Sequence, residues 1–255
     1  MDFTIAVYKK FLESILAHGF EFQAFSDFIN QPAGKAVILR HDVDKMPFNS
    51  LATAKLENQL GIKGTYYFRS FNGKWEEPVI IQIAALGHEV GYHYESLATC
   101  NGNPEKAYHD FTMNLEKLRS LAPVTSICMH GSPRSKWDSR DLWETYSYKN
   151  LGIVGEPYFD IDFSRVFYLT DTGRRWDGFK TSRRDKIPVF QEIWEKTGLV
   201  FHNTDDIIRA IEDKRLKGQM MITVHPQRWN DQTWPWLMEF IKQNVKNAIK
   251  RCIVK

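Results

Sequence analysis

The chain is short of cysteine, of net charge and of long apolar runs, and each shortage removes a class of protein. Its three cysteines, Cys100, Cys128 and Cys252, are odd in number and share no disulfide or metal-ligand spacing. Free thiols point to a reducing compartment. A formal charge of +3 gives no ground for a nucleic-acid partner or an anionic membrane. No apolar run approaches the roughly 20 residues of a transmembrane helix. Lys9, Lys10 and Glu13 interrupt the apolar residues near the start, so no signal peptide is expected. No linker, low-complexity or repeated segment divides residues 1–255. A single domain residing in the cytoplasm is the expectation.

What is present is ordinary in amount and regular in order. A 255-residue chain with 43% hydrophobic and 25% charged residues has ample length to bury a core. Helical spacing predicts a helix over 3–17, stopped by Gly19, and further helices over 49–60, 77–86, 104–120 and 138–149. Asp205 to Lys214 reads as a helix capped by Thr204, and a final helix covers 234–250. Short β-rich runs predict strands over 36–41, 64–68, 88–93, 124–129, 152–155, 166–170 and 220–224. A loop rich in Trp, Arg and Gly fills about 171–186. Alternation of strand and helix along nearly the whole length argues an α/β fold with a mainly parallel sheet, barrel or open.

Polar residues cluster just after the strands: Asp42 and Asp44, His93 and Glu95, His130, and His225. In a barrel those strand ends converge on one rim, where active sites lie. The stretch Ala36-Val37-Ile38-Leu39-Arg40-His41-Asp42-Val43-Asp44 is the most telling. Side chains alternate along a strand, so Asp42 and Asp44 share a face that His41 and Val43 do not. Acids at the end of a buried strand cost free energy unless they pair, bind a metal or take part in catalysis. Turn capping is the plainer alternative for both.

These residues resemble the polysaccharide deacetylases, the NodB-homology group also called carbohydrate esterase family 4, over nearly the whole chain. The resemblance implies a distorted (β/α)7-type barrel that uses one divalent metal to hydrolyse an acetyl group from a sugar. The family's Asp pair stands here as Asp42 and Asp44, with one residue inserted, which implies Asp42 as general base and Asp44 as metal ligand. Pairing His41 with Asp42 is the alternative alignment. Gly87-His88-Glu89-Val90-Gly91-Tyr92-His93 looks like the segment leading to the family's first ligand histidine, His93. Four residues on, where the family has a second histidine, this chain has Leu97. The replacement ligand is sought first in His130, then in Glu95, with His88 on the wrong strand face. Ile222-Thr223-Val224-His225-Pro226 matches the family's last motif and implies His225 as general acid, an imidazole able to protonate a leaving amine. Residues 169–177 stand where the family has an Asp that orients this histidine and a Trp that walls the pocket. The His41-Asp42-Val43-Asp44 and His130-Gly131-Ser132-Pro133 forms look like a divergent branch associated with bacterial surface polysaccharides.

The implied metal is one divalent ion, zinc first, with cobalt, manganese or nickel as alternatives. The implied partner is an N-acetylated sugar, nucleotide- or lipid-linked sugars included. Arg134, Arg174, Trp176 and Trp229 are the candidate substrate contacts, with Trp137 and Trp234 as further rings for stacking, while Trp143 falls on an expected helix and reads as core. Arg174, Arg175, Arg183, Arg184 and Lys186 read either as a solvated loop or as a site for a sugar-linked phosphate. Leu97 keeps open a different class of function, a catalytically inactive barrel that binds carbohydrate or a partner protein. Hydrolysis of a small cyclic or linear amide is a third reading.

Overall fold

The computed structural model describes residues 1–71, 73–132, 135–177, 182 and 184–253, with side chains through 248 in the last helix. Seven strands form one sheet: β1 (Glu21–Gln23), β2 (Ala36–Val43), β3 (Thr65–Phe68), β4 (Glu89–Tyr94), β5 (Ile127–Met129), β6 (Val166–Thr170) and β7 (Gln219–Val224). Eleven α-helices accompany them among the described residues: α1 (Ile5–Ala17), α2 (Phe25–Asn30), α3 (Pro47–Gln59), α4 (Glu77–Ala85), α5 (Ser96–Thr99), α6 (Pro104–Arg119), α7 (Leu142–Thr145), α8 (Pro157–Asp160), α9 (Pro188–Lys196), α10 (Thr204–Glu212) and α11 (Thr233–Ile253).

Every ladder is parallel, in the order β5-β4-β3-β2-β7-β6, with β1 beside the first half of β2. Burial explains the continuous apolar runs: β2, β3, β5 and β6 are buried at every position. No ladder among the described residues joins β5 to β6, so the expected seven-stranded barrel is a curled sheet with a seam. Side chains span that seam. Tyr158, beyond β5, and Tyr168, on β6, both donate to Asp185, and the Tyr158 ring lies 5.1 Å from the Arg40 guanidinium of β2. Arg184 donates to the carbonyls of Gly131, Ser132, Ser135 and Trp137 in the loop after β5.

Local chemistry sets the outer elements. Thr4 caps α1 through Val7 N–H at 3.1 Å, and Tyr8, Phe11, Leu12 and Ile15 bury its apolar face. Four local expectations need correction. The cap of α10 is Asn203, which accepts from Asp206 N–H at 2.9 Å, while Thr204 is already helical and bonds Asp2 and Trp176. The span 138–149 is no single helix, because Tyr146 and Ser147 are extended and split it into short turns. Residues 152–155 make only one bridge, Gly155 to Ser126. β5 starts at Ile127, since the Arg119 guanidinium takes the Val124 carbonyl that a longer strand would use. No described helix is long and apolar enough to cross a membrane.

Candidate active site and metal centre

Six strands each deliver a polar residue at the position immediately after the strand ends. These are Asp44 after β2, Arg69 after β3, Glu95 after β4, His130 after β5, Asp171 after β6 and His225 after β7. Parallel strands bring all six to one rim. Asp42 and His93 lie one turn of the pleat lower, on β2 and β4 themselves.

Asp44 is the centre of the cluster. Its Oδ1 lies 3.4 Å from His93 Nε2 and 3.5 Å from His130 Nε2, and its Oδ2 lies 3.8 Å from His225 Nε2. Burial alone would push the Asp44 carboxyl up, but His130, His93 and His225 hold it well below the usual carboxylate range. Burial would lower His93 in turn, and Asp42 and Asp44 outweigh that and raise it. The ligand atoms of Asp44, His93 and His130 lie within 4.8 Å of one another.

The second nitrogen of each imidazole is occupied in a way that frees the first. His93 Nδ1 donates to the Cys128 carbonyl at 2.9 Å, and His130 Nδ1 donates to Glu95 at 2.7 Å. In their neutral form both rings therefore turn an Nε2 lone pair toward Asp44. Asp44 Oδ1 is buried and has no hydrogen-bond partner among the described residues. An orphaned carboxylate oxygen between two imidazole lone pairs fits a divalent cation. Glu95, the second choice as ligand, lies behind His130: burial would raise it, yet His130, Arg69 and Ser132 bring it down to about 2. Arg69 also places Nη1 3.3 Å from His130 Nε2, on the lone pair that a metal would use.

Asp42 is held differently. Arg40, on the same strand face, grips both its oxygens at 2.8 and 2.6 Å, and its Oδ2 lies 3.7 Å from His93 Nε2. The alternative alignment through His41 is not what the structure places here. His41 points to the other face, 2.9 Å from buried Glu57, and His88 belongs to that same buried group. On the far side, His225 Nδ1 donates to Asp171 at 2.6 Å, and Asp171 also accepts from His225 N–H, Trp229 Nε1 at 2.9 Å and Arg228 Nη1 at 2.6 Å. His225 Nε2 is thereby aimed at Asp44. A cavity of about 170 Å³ opens beside His93, walled by Arg69, Tyr92, Glu95, Asp110 and Asn114, with room for one small group.

Three candidate substrate contacts are corrected by their burial. The Trp229 and Trp176 rings are 1% and 3% exposed and pack with Phe3, Tyr8 and Phe11, so neither offers a face for a sugar. Arg174 is buried, lies 4.1 Å from the Trp236 ring and donates to the Trp236 carbonyl. Arg175 is paired with Asp177, and Arg184 is spent on the carbonyls described above, which leaves little of the proposed phosphate loop. Arg134 and Arg183 lie outside the described residues. Sequence reading missed Arg40, Arg69, Arg228 and Asp185. Arg40 alone carried a signal, being two residues from Asp42 on one face.

No family model and no curated protein matches the chain. Solved structures do. The chain is similar to family 4 carbohydrate esterases. One from Bacillus anthracis is 11% identical, with 94% of this chain and 86% of that chain covered at a TM-score of 0.44. PdaA of Bacillus subtilis, a family 4 carbohydrate esterase, is 12% identical, with 92% and 84% covered at 0.43. A pseudoenzyme of the same family from Bacillus anthracis is 12% identical at 0.47, with 85% of this chain but only 63% of that chain covered.

Proposed function

We propose that the chain is a metal-dependent hydrolase that removes the acetyl group from an N-acetylated sugar, acting in bacterial surface-polysaccharide biosynthesis. The observation that carries this is Asp44 ringed by the Nε2 atoms of His93, His130 and His225, with Asp42 two residues back on the same face. Asp44, His93 and His130 would hold one divalent ion, zinc first, which when bound polarises the acetyl carbonyl and acidifies a water. Asp42 accepts the proton that the attacking water gives up, and Arg40 fixes the carboxylate for that task. As the carbon–nitrogen bond breaks, His225 Nε2 gives a proton to the departing amine. Asp171 keeps the His225 Nδ1–H in place and stabilises the imidazolium that precedes transfer. Acetate and a free amino sugar are the products.

One contact favours a second reading, a barrel that binds carbohydrate or protein without catalysis. Arg69 sits on His130 Nε2, and a cation must displace it. Metal analysis after dialysis against zinc, cobalt or manganese, together with acetate release from N-acetylglucosamine oligomers, separates the two. The hydrolase reading expects one ion per chain and activity. Asp42→Asn should then lose at least a hundredfold in turnover while keeping its metal. A wild-type chain that takes up no ion would overturn the hydrolase reading.

A further inference from the structure

Helix α11 turns two buried amides, with Trp236, toward the body of the molecule. Gln243 and Asn247 are buried, Gln243 donates to Asn247 at 3.2 Å, and Asn247 donates to the Gly173 carbonyl at 2.8 Å. Trp236 completes the inner line, accepting from Arg174 at 2.7 Å through its carbonyl and donating to the Asp2 carbonyl at 2.7 Å. At about 100° per residue, Trp234, Met238, Ile241 and Val245, spaced four, three and four apart, fall on the opposite side. They are 70%, 37%, 49% and 54% exposed. A soluble helix ordinarily does the reverse.

We infer that this stripe lies on the surface of an anionic phospholipid bilayer, with the helix axis parallel to the membrane plane. Charge selects that occupant. Within α11 the sequence has Lys242, Lys246, Lys250 and Arg251 against the single acid Glu239. Lys242 follows Met238 by four and precedes Val245 by three, and Lys246 continues the row, so exposed ammonium groups border the apolar stripe. Glu239 is half-buried, and its charge acts on Arg174. Apolar side chains at the acyl boundary, with lysines reaching phosphate level, is the arrangement of an interfacial helix. Trp234 at one end suits the headgroup layer. A second copy fits less well: four side chains fall short of the roughly 20–30 residues a side of a stable interface, and a symmetric pair would bring like charges together. The small overall charge hides this because acids elsewhere in the chain balance it.

Flotation of the full chain with vesicles tests the inference, and the readout needs neither metal nor catalysis. Binding to vesicles of phosphatidylcholine with about one third phosphatidylglycerol should exceed binding to pure phosphatidylcholine at least tenfold, and weaken with added salt. Trp234→Ser combined with Ile241→Ser should lower it tenfold or more, and Lys242→Glu with Lys246→Glu should abolish the anionic preference. Val189→Ser, at an apolar residue exposed on α9, should leave binding unchanged. Each variant is first matched to wild type by its thermal melt. Absence of flotation with either vesicle would overturn the inference. So would a concentration-dependent dimer in sedimentation velocity that the Trp234/Ile241 pair abolishes, since a second copy would then be the occupant.

Discussion

At the scale of single residues, the site is a set of imidazoles whose far nitrogens decide what the near ones can do. Glu95 is the clearest case. It takes the Nδ1–H of His130 at 2.7 Å and so fixes the ring orientation that directs Nε2 at Asp44. Glu95→Gln preserves size and one acceptor but replaces the charged partner of that Nδ1–H with a neutral amide. Metal affinity in this variant should fall about 10- to 100-fold, read by competitive titration with a chromophoric chelator. Unchanged affinity would mean that His130 is not a ligand. Asp42, Asp44, His93, His130 and His225 could be named from sequence because each is a polar residue at the end of an apolar strand. Arg69 and Arg228 could not, because the imidazole and carboxylate they are bound to, His130 for Arg69 and Asp171 for Arg228, are distant in sequence and only the fold brings them near. The tryptophans misled for the opposite reason: aromatic richness does not distinguish a ring on a cleft wall from one within the core.

At the scale of elements, the strands that carry the site were the most legible and the connections between them the least. β2, β4 and β7 announce themselves by apolar runs that stop abruptly at Asp, His or Glu. β1 is three residues long, and α9 follows an arginine-rich loop without an N-cap side chain, so neither stands out from its neighbours. Packing between β3 and β4 explains one further sequence feature. Gly91 pairs with Tyr67, and a Cβ there would meet two Tyr67 ring atoms at 2.4 Å, well inside contact distance. Neither atom is the free end of a flexible chain, so the ring or the strand must move. Gly91→Ala should cost about 1–3 kcal/mol by overpacking, measured from the urea midpoint. Because His93 lies two residues on, metal affinity should drop with it. A variant as stable as wild type would show that the ring yields freely.

At the scale of the whole molecule, the unpaired seam between β5 and β6 is where the fold depends on side chains instead of a ladder. Asp185 is the hub there, accepting from Tyr158 at 2.9 Å, from Thr170 at 2.9 Å, and from Tyr168 and Thr172. The same carboxylate thus joins the far side of the seam to the two threonines that flank Asp171, and through Asp171 to His225. Burial would raise its pKa, but Arg40, His225 and the donated hydroxyls bring it down to about 2. An unfolded aspartate titrates near about 4. The folded state therefore gains stability from Asp185 that is fully present above about pH 4 and is lost as pH falls toward about 2, of order 2–3 kcal/mol. Asp185→Asn forfeits that gain and turns an amide N–H₂ toward hydroxyl donors. Relative to wild type it should be less stable by about that amount at pH 7, and the gap should narrow steadily in urea titrations carried down to about pH 3. A gap that stays constant with pH would assign the loss to hydrogen-bond geometry alone and remove charge from the account of how the seam is held.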